Sequence, residues 1–86
     1  MKTIMRTTND NIMKFLSHNV LYLRTKNDIT KKEMAKILGI GIKTLNKIEQ
    51  GVLPPRLSVE MLFRIRDYFG VSLSLLVSAN LGETIV

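Results

Sequence analysis

Apolar positions recur at helical spacing in five segments of the chain, with polar positions and turn residues between them. Ile12, Leu16, Val20 and Leu23 stand four, four and three residues apart and predict a first helix over about 9–26, with Asn9 and Asp10 as its caps. Asn27 and Asp28 follow as a turn. Met34, Ala35, Ile37 and Leu38 then share a face, and Thr30 with Glu33 three residues on forms the capping-box pattern that opens a second helix. Gly39 is placed to take a positive φ and close that helix, and Gly41 keeps the corner free of bulk, so a third helix must begin almost at once. That third segment, about 41–50, turns Leu45 and Ile48 inward and ends at Gly51. Val52 to Leu57 reads as a loop stiffened by Pro54 and Pro55. Ser58 caps a fourth helix over about 59–69, whose Val59, Leu62, Ile65 and Phe69 point one way. Gly70 ends it, and Ser72 caps a fifth over about 73–79, rich enough in Leu and Val to be covered on most sides.

With Leu45 and Ile48 inward, the other side of the third helix must carry Ile42, Lys43, Asn46, Lys47 and Gln50: two amines, two amides and one branched apolar group. An opening Thr30, Glu33 and Ala35 in the second helix, Leu38 and Gly39 at the turn, and the run Ile48, Glu49, Gln50, Gly51 appear in order and at the right spacing. On these residues the segment 30–51 resembles the helix-turn-helix of the Cro/C1-type, or XRE, DNA-binding family. Gly70, Val71, Ser72 and Leu73 match a further stretch common in that family. The resemblance implies an all-α, compact five-helix domain of the lambda-repressor-like type, with the helix-turn-helix at helices two and three. The domain is expected over 9–80, between an N-terminal extension at 1–8 and a C-terminal tail at 81–86. The tail and extension are short and β-branched, and three readings of them stay open: disorder, pairing as small strands, or cover for a partner subunit.

The same resemblance implies roles for particular residues. An Arg at the distance of Arg24 before the motif pairs, in the family, with the Glu that ends the recognition helix. A partly buried ion pair of Arg24 with Glu49, locking the first helix to the third, is therefore expected. Base-reading residues fall at Ile42, Lys43 and Lys47, with Gly41 and Asn46 nearby. Lys31 stands where the family commonly has a phosphate-binding Gln. The loop after Gly51 is about two residues longer than the commonest family pattern.

Charge placement points the same way from the residues alone. The net charge is +6, and eight basic residues against three acidic ones between Arg24 and Arg56 account for +5 of it. A field concentrated there suits a polyanion, nucleic acid first and an acidic membrane second, although a merely solvated basic face has the same composition. A helix fits the major groove, where each base pair shows its own pattern of donors, acceptors and methyl groups. Lys43 and Lys47, one turn apart, suit guanine O6 and N7; Asn46 suits paired bonds to adenine; Ile42 suits a thymine methyl. Lys31 and Lys32 occupy the first turn of the second helix, where positive charge opposes the helix dipole by about 0.3–1 kcal/mol per residue. A phosphate held by the free N–H groups there would offset that. Thr30, Lys31, Lys32, Gln50 and Arg56, with Lys26 beside them, form the expected set of phosphate contacts.

Eighty-six residues make one small domain. The absence of Cys excludes disulfides, thiolate metal sites and thiol nucleophiles, and it suits a cytoplasmic setting. The first eight residues lack the apolar run of a signal peptide, and no stretch approaches the roughly 18 apolar residues of a membrane span. His18 has no ligand partner at metal spacing and reads as an ordinary helical side chain. No paired carboxylates or glycine-rich phosphate loop accompany it, so neither an enzyme, a cofactor nor a small-molecule ligand is expected. The expected partners are double-stranded DNA and, because one such domain touches only a short half-site, a second copy of the chain, joined through helix five and residues 81–86. The function expected is a transcriptional regulator, in particular a repressor on an inverted-repeat operator. Two alternatives stand beside it: the antitoxin of a toxin–antitoxin pair, and a helical protein-interaction module that uses Ile42, Val52 and Leu53 as an apolar patch.

Overall fold

The computed structural model describes residues 2–52 and 59–82, with 2–11 as helix backbone. Five helices follow one another: α1 (Lys2–Lys26), α2 (Lys31–Leu38), α3 (Ile42–Glu49), α4 (Val59–Phe69) and α5 (Leu73–Leu76). α1 packs against α3 and α5, α2 against α3 and α4, and α4 against α5. The described residues contain no strand, so pairing of the chain ends as strands finds no support among them. No helix among them is long and apolar enough to cross a membrane.

One core serves all five helices. Met13, Leu16, Val20 and Leu23 of α1 meet Met34, Ala35 and Leu38 of α2, Leu45 and Ile48 of α3, Met61 and Ile65 of α4, and Leu76 of α5. Ile12 is only half-buried, and Met13 takes the inward place beside Leu16. In α4 the inward stripe is Met61, Leu62, Ile65 and Phe69, whereas Val59 is 60% exposed. Met61 thus replaces Val59 as the first inward residue of α4, because Met61 lies four before Ile65 and so shares its face more closely than Val59 does.

The start of α1 also differs from expectation. The helix begins at Lys2, and Asn9 and Asp10 lie inside it. No Gly or Pro occurs between residues 2 and 26, so nothing in the backbone halts the helix before those two residues. α5 is shorter than expected and stops at Leu76. Asn19, fully buried on α1, explains why: its Nδ2 donates to the carbonyls of Leu76 at 2.6 Å and Ala79 at 2.8 Å. A continuing helix would give the Leu76 carbonyl to the N–H four residues on. Asn19 Oδ1 in turn accepts from Leu81 N at 2.8 Å, and His18 Nε2 lies 3.1 Å from the Leu81 carbonyl. Leu81 is therefore strapped to α1 of its own chain and packs on the core, rather than standing free for a partner. Residues 83–86 lie outside the described residues, as do Leu53, the prolines, Arg56 and the Ser58 cap.

Candidate nucleic-acid interface

α2 opens on a complete capping box. Glu33 N donates to Thr30 Oγ1 at 3.1 Å, and Thr30 N donates to Glu33 Oε1 at 3.0 Å. The Thr30 backbone N–H, then its hydroxyl, holds the Glu33 carboxyl below its ordinary 4.5; slight desolvation opposes this and Lys36 adds to it. Gly39 closes the helix in the left-handed region at φ 72°, with Ile40 N bonded to Ala35 O at 2.9 Å and Gly39 N to Lys36 O at 3.2 Å. This pair of backward bonds reverses the chain direction within a few residues. A side chain on Gly39 would also meet Arg64 of α4, whose Nε lies 3.1 Å from the position of a Cβ. The Arg64 side chain of α4 thus lies against the turn. Gly41 has no such neighbour: a Cβ there would meet nothing within 4 Å, so the corner ahead of α3 is open rather than tight.

α3 starts at Ile42 with no side-chain cap and buries Leu45 and Ile48 completely. Its far end repeats the α2 ending, with Gly51 at φ 82° and Val52 N bonded to Lys47 O at 2.8 Å. The same end is tied to α1. Arg24 Nε donates to Glu49 Oε2 at 2.7 Å and Nη2 to Oε1 at 3.2 Å, a two-pronged pair whose side chains are 15% and 7% exposed. Arg24 Nη1 also donates to the Ile29 carbonyl at 3.2 Å, so one guanidinium joins α1, the lead into α2 and the end of α3. Ser17 Oγ adds a bond to the Glu49 carbonyl at 3.2 Å.

What these anchors leave facing solvent is the outward side of α3. Ile42 is 44% exposed, and Lys43, Lys47 and Gln50 are exposed with it. Asn46 departs from the outward side on which the sequence reading set it with Ile42, Lys43, Lys47 and Gln50. It is half-buried, and its Oδ1 is shielded with no hydrogen-bond partner among the described residues. Thr30, Lys31, Lys32 and Lys36 are exposed along α2. The Thr30 hydroxyl and N–H are both engaged with Glu33. Lys26 is exposed at the end of α1, its Nζ 5.6 Å from the centre of the Tyr22 ring, and Arg56 lies outside the described residues. No cluster of three or more metal-ligating side chains occurs among the described residues.

Two short helices joined by a three-residue corner, the second with a bare cationic side, are matched over residues 20–76 by a protein-family model described as helix-turn-helix. The chain belongs to the Cro/C1-type helix-turn-helix family. The match runs from Val20 in the second half of α1 to Leu76 at the end of α5, so it takes in the end of α1, the whole of α2 to α5, and both partners of the Arg24 and Glu49 pair. An uncharacterised HTH-type transcriptional regulator from the archaeon Methanocaldococcus jannaschii is 31% identical over 58 residues, 67% of this chain and 85% of that protein. No solved structure matches the chain at a significant level. Within this family frame, the supports that sequence reasoning missed are Asn19, Ser17 and Arg64. Asn19 had a signal: it sits three residues after Leu16 and one before Val20, a polar residue in the middle of an apolar stripe.

Proposed function

We propose that the chain represses transcription by occupying an inverted-repeat operator as a homodimer, with α3 of each copy in a major groove. DNA binding and transcription regulation come with membership of the helix-turn-helix family. The finer reading rests on one observation, the open outward side of α3, where Ile42, Lys43 and Lys47 stand in solvent with no described part of the chain across them. An amine one turn from another matches successive guanines, and a half-exposed Ile42 beside them suits a thymine methyl. Lys31 and Lys32, at the first turn of α2, and Gln50, at the end of α3, would fix the frame on the phosphates, with Thr30 contributing little beyond its cap. Leu75 on α5 is 50% exposed, and Phe63 on α4 is 40% exposed, so a second copy is best placed against α4 and α5.

Selection of bound duplexes from a random pool tests this reading. An inverted repeat with half-sites about 34 Å apart is expected. Lys43→Ala and Lys47→Ala should relax base preference at separate positions, and Lys31→Ala should weaken all duplexes alike and lower the salt slope by about 1. A pool with no enriched half-site, or binding indifferent to salt, would remove the reading.

A further inference from the structure

We infer that the seam between α2 and α4 is a binding site for a small amphipathic carboxylate, a hydrocarbon body ending in one carboxyl group. A groove of about 460 Å³ opens there, with Ile29, Glu33, Lys36 and Ile37 on one wall and Arg64 and Tyr68 on the other. A second hollow of about 310 Å³ continues it past Ile37, Arg64 and Tyr68 to Asp67. Both volumes fall in the range of clefts that hold small ligands. No motif announces the site, because its walls come from two segments far apart in the chain. None of these residues belongs to the proposed DNA contacts, so the inference stands apart from the docking of α3.

The lining selects the ligand. Ile29 and Ile37 are half-buried against the core and leave their outer parts as an apolar floor. Tyr68 is 61% exposed and adds a ring to the facing wall. Such surface takes a hydrocarbon body. The carboxylates of the groove are already engaged: Glu33 Oε1 accepts from Thr30 N at 3.0 Å and Thr30 Oγ1 at 3.2 Å, and Asp67 Oδ1 accepts from Arg66 Nε at 2.9 Å. The donors are not. Arg64 gives Nε and Nη2 to the same oxygen, Glu60 Oε2, at 3.2 and 2.9 Å, and its Nη1 makes no bond among the described residues. The Lys36 amine and the Tyr68 hydroxyl have no hydrogen-bond partner among those residues either. Three donors with capacity to spare, two of them cationic, call for an anionic acceptor. Lys36 and Arg64 against Glu33 leave the first hollow with a balance of one positive charge, which suits a monocarboxylate better than a dianion. An amine in the same place would meet two like charges.

The test uses the full chain and follows its amide NMR spectrum during titration with hexanoate and with benzoate. Saturable shifts are expected at residues 29–37 and 64–68, with a dissociation constant on the order of 1 mM for ligands of so few atoms. Hexanamide and benzamide keep the body and lose the charge, whereas acetate keeps the charge and loses the body; each should bind at least about 5-fold more weakly. Lys36→Gln and Tyr68→Ala, both at exposed positions, should melt with the wild type and weaken hexanoate by about 2- to 12-fold. Equal shifts from acid and amide, shifts centred on Lys43 and Lys47 instead of the groove, or full affinity in both variants would each overturn the inference. So would a groove that ignores both acids yet takes up an acidic peptide of alternating leucine and glutamate, since that is a protein-docking surface. Duplex selection decides the docking of α3 separately, whichever way the titration falls.

Discussion

Replacing Arg24 by Met should be among the most damaging single changes available outside the apolar core. The guanidinium makes two charge-assisted bonds to Glu49 and a third to the Ile29 carbonyl, and the carboxylate it serves is only 7% exposed. Removal leaves that carboxylate with the Arg taken away and little water to replace it, which costs about 3–5 kcal/mol for a buried pair. A domain of 86 residues has a total stability of about 4–13 kcal/mol, so the loss approaches the whole of it at the lower end. Glu49→Leu should cost less. The long Arg24 side chain, 15% exposed in the last turn of α1, can slide its charged head toward water, and a cation is favourable at a helix C-terminus. In the double variant no charge is stranded, and the main deficit is the Ile29 carbonyl, at about 1 kcal/mol. Urea unfolding of the wild type, both single variants and the double variant gives the coupling directly. The double variant is expected to be more stable than the sum of the two losses implies by at least about 2–4 kcal/mol, the Arg24→Met loss less the roughly 1 kcal/mol that remains. Strict additivity would refute the argument, since two groups that ignore each other lose independently.

Other positions carry predictions of their own. Asn19→Leu should lower stability by about 3 kcal/mol, one for each lost bond to Leu76, Ala79 and Leu81, with the loss read by urea unfolding and by faster amide exchange in α5. Gly39→Ala should cost about 1–2 kcal/mol in the same assay, because its φ of 72° strains any side chain and the new methyl must displace Arg64. The Glu33 carboxyl sits below 4.5 when folded, so its contribution is present above that value and fades as pH falls through the lower folded value. Melting temperature measured from pH 6 downward should therefore decline less steeply in Glu33→Gln than in the wild type. Leu75→Asp, at a half-exposed site on α5, should leave the fold intact while sedimentation shows a monomer and DNA affinity drops; an unchanged mass would dismiss that face as the dimer contact.

The helices and their order were readable because each has a local cause within a few residues: Thr30 with Glu33, Gly39, Gly51, Ser72 and the apolar spacings. Local patterns also allowed the outward side of α3 to be deduced by elimination from Leu45 and Ile48. What escaped depends on partners far along the chain. Asn19 is a polar residue on an apolar stripe until residues 76–81 are laid across it, and only then does it become the reason that α5 stops. Arg64 looks like a surface partner of Glu60, four residues away, and that pair does form, yet the same guanidinium backs the Gly39 turn. The left-handed Asp28, at φ 54°, ends α1 with Ile29 N bonded to Arg24 O, a role that the Asn27 and Asp28 turn signal indicates only as a bend. The start of α1 was misplaced because cap residues are preferences, and a cap-like pair inside a run with no breaker need not begin anything.

These supports explain why α3 offers an open side at all. Its eight residues span about 12 Å, and a helix so short is marginal on its own, so its orientation belongs to whatever holds it. The holds are all on one side: α1 grips the far end through Arg24 and Ser17, the Arg64 side chain of α4 lies against the turn before the near end, and Leu45 and Ile48 plug into the core between them. Every polar anchor is spent on the inward half, and the lysines of the outward half are left with no described partner that must be broken before DNA can be met. A change at an anchor should then act on binding without touching a base. In Arg24→Met held at a temperature where it is still folded, loosening of α3 should weaken all duplexes by a similar factor and leave the selected sequence unaltered, whereas changes at Lys43 or Lys47 alter the sequence itself. A shifted base preference in the anchor variant would mean that the Arg24 and Glu49 pair sets which bases α3 meets as well as how firmly it is held.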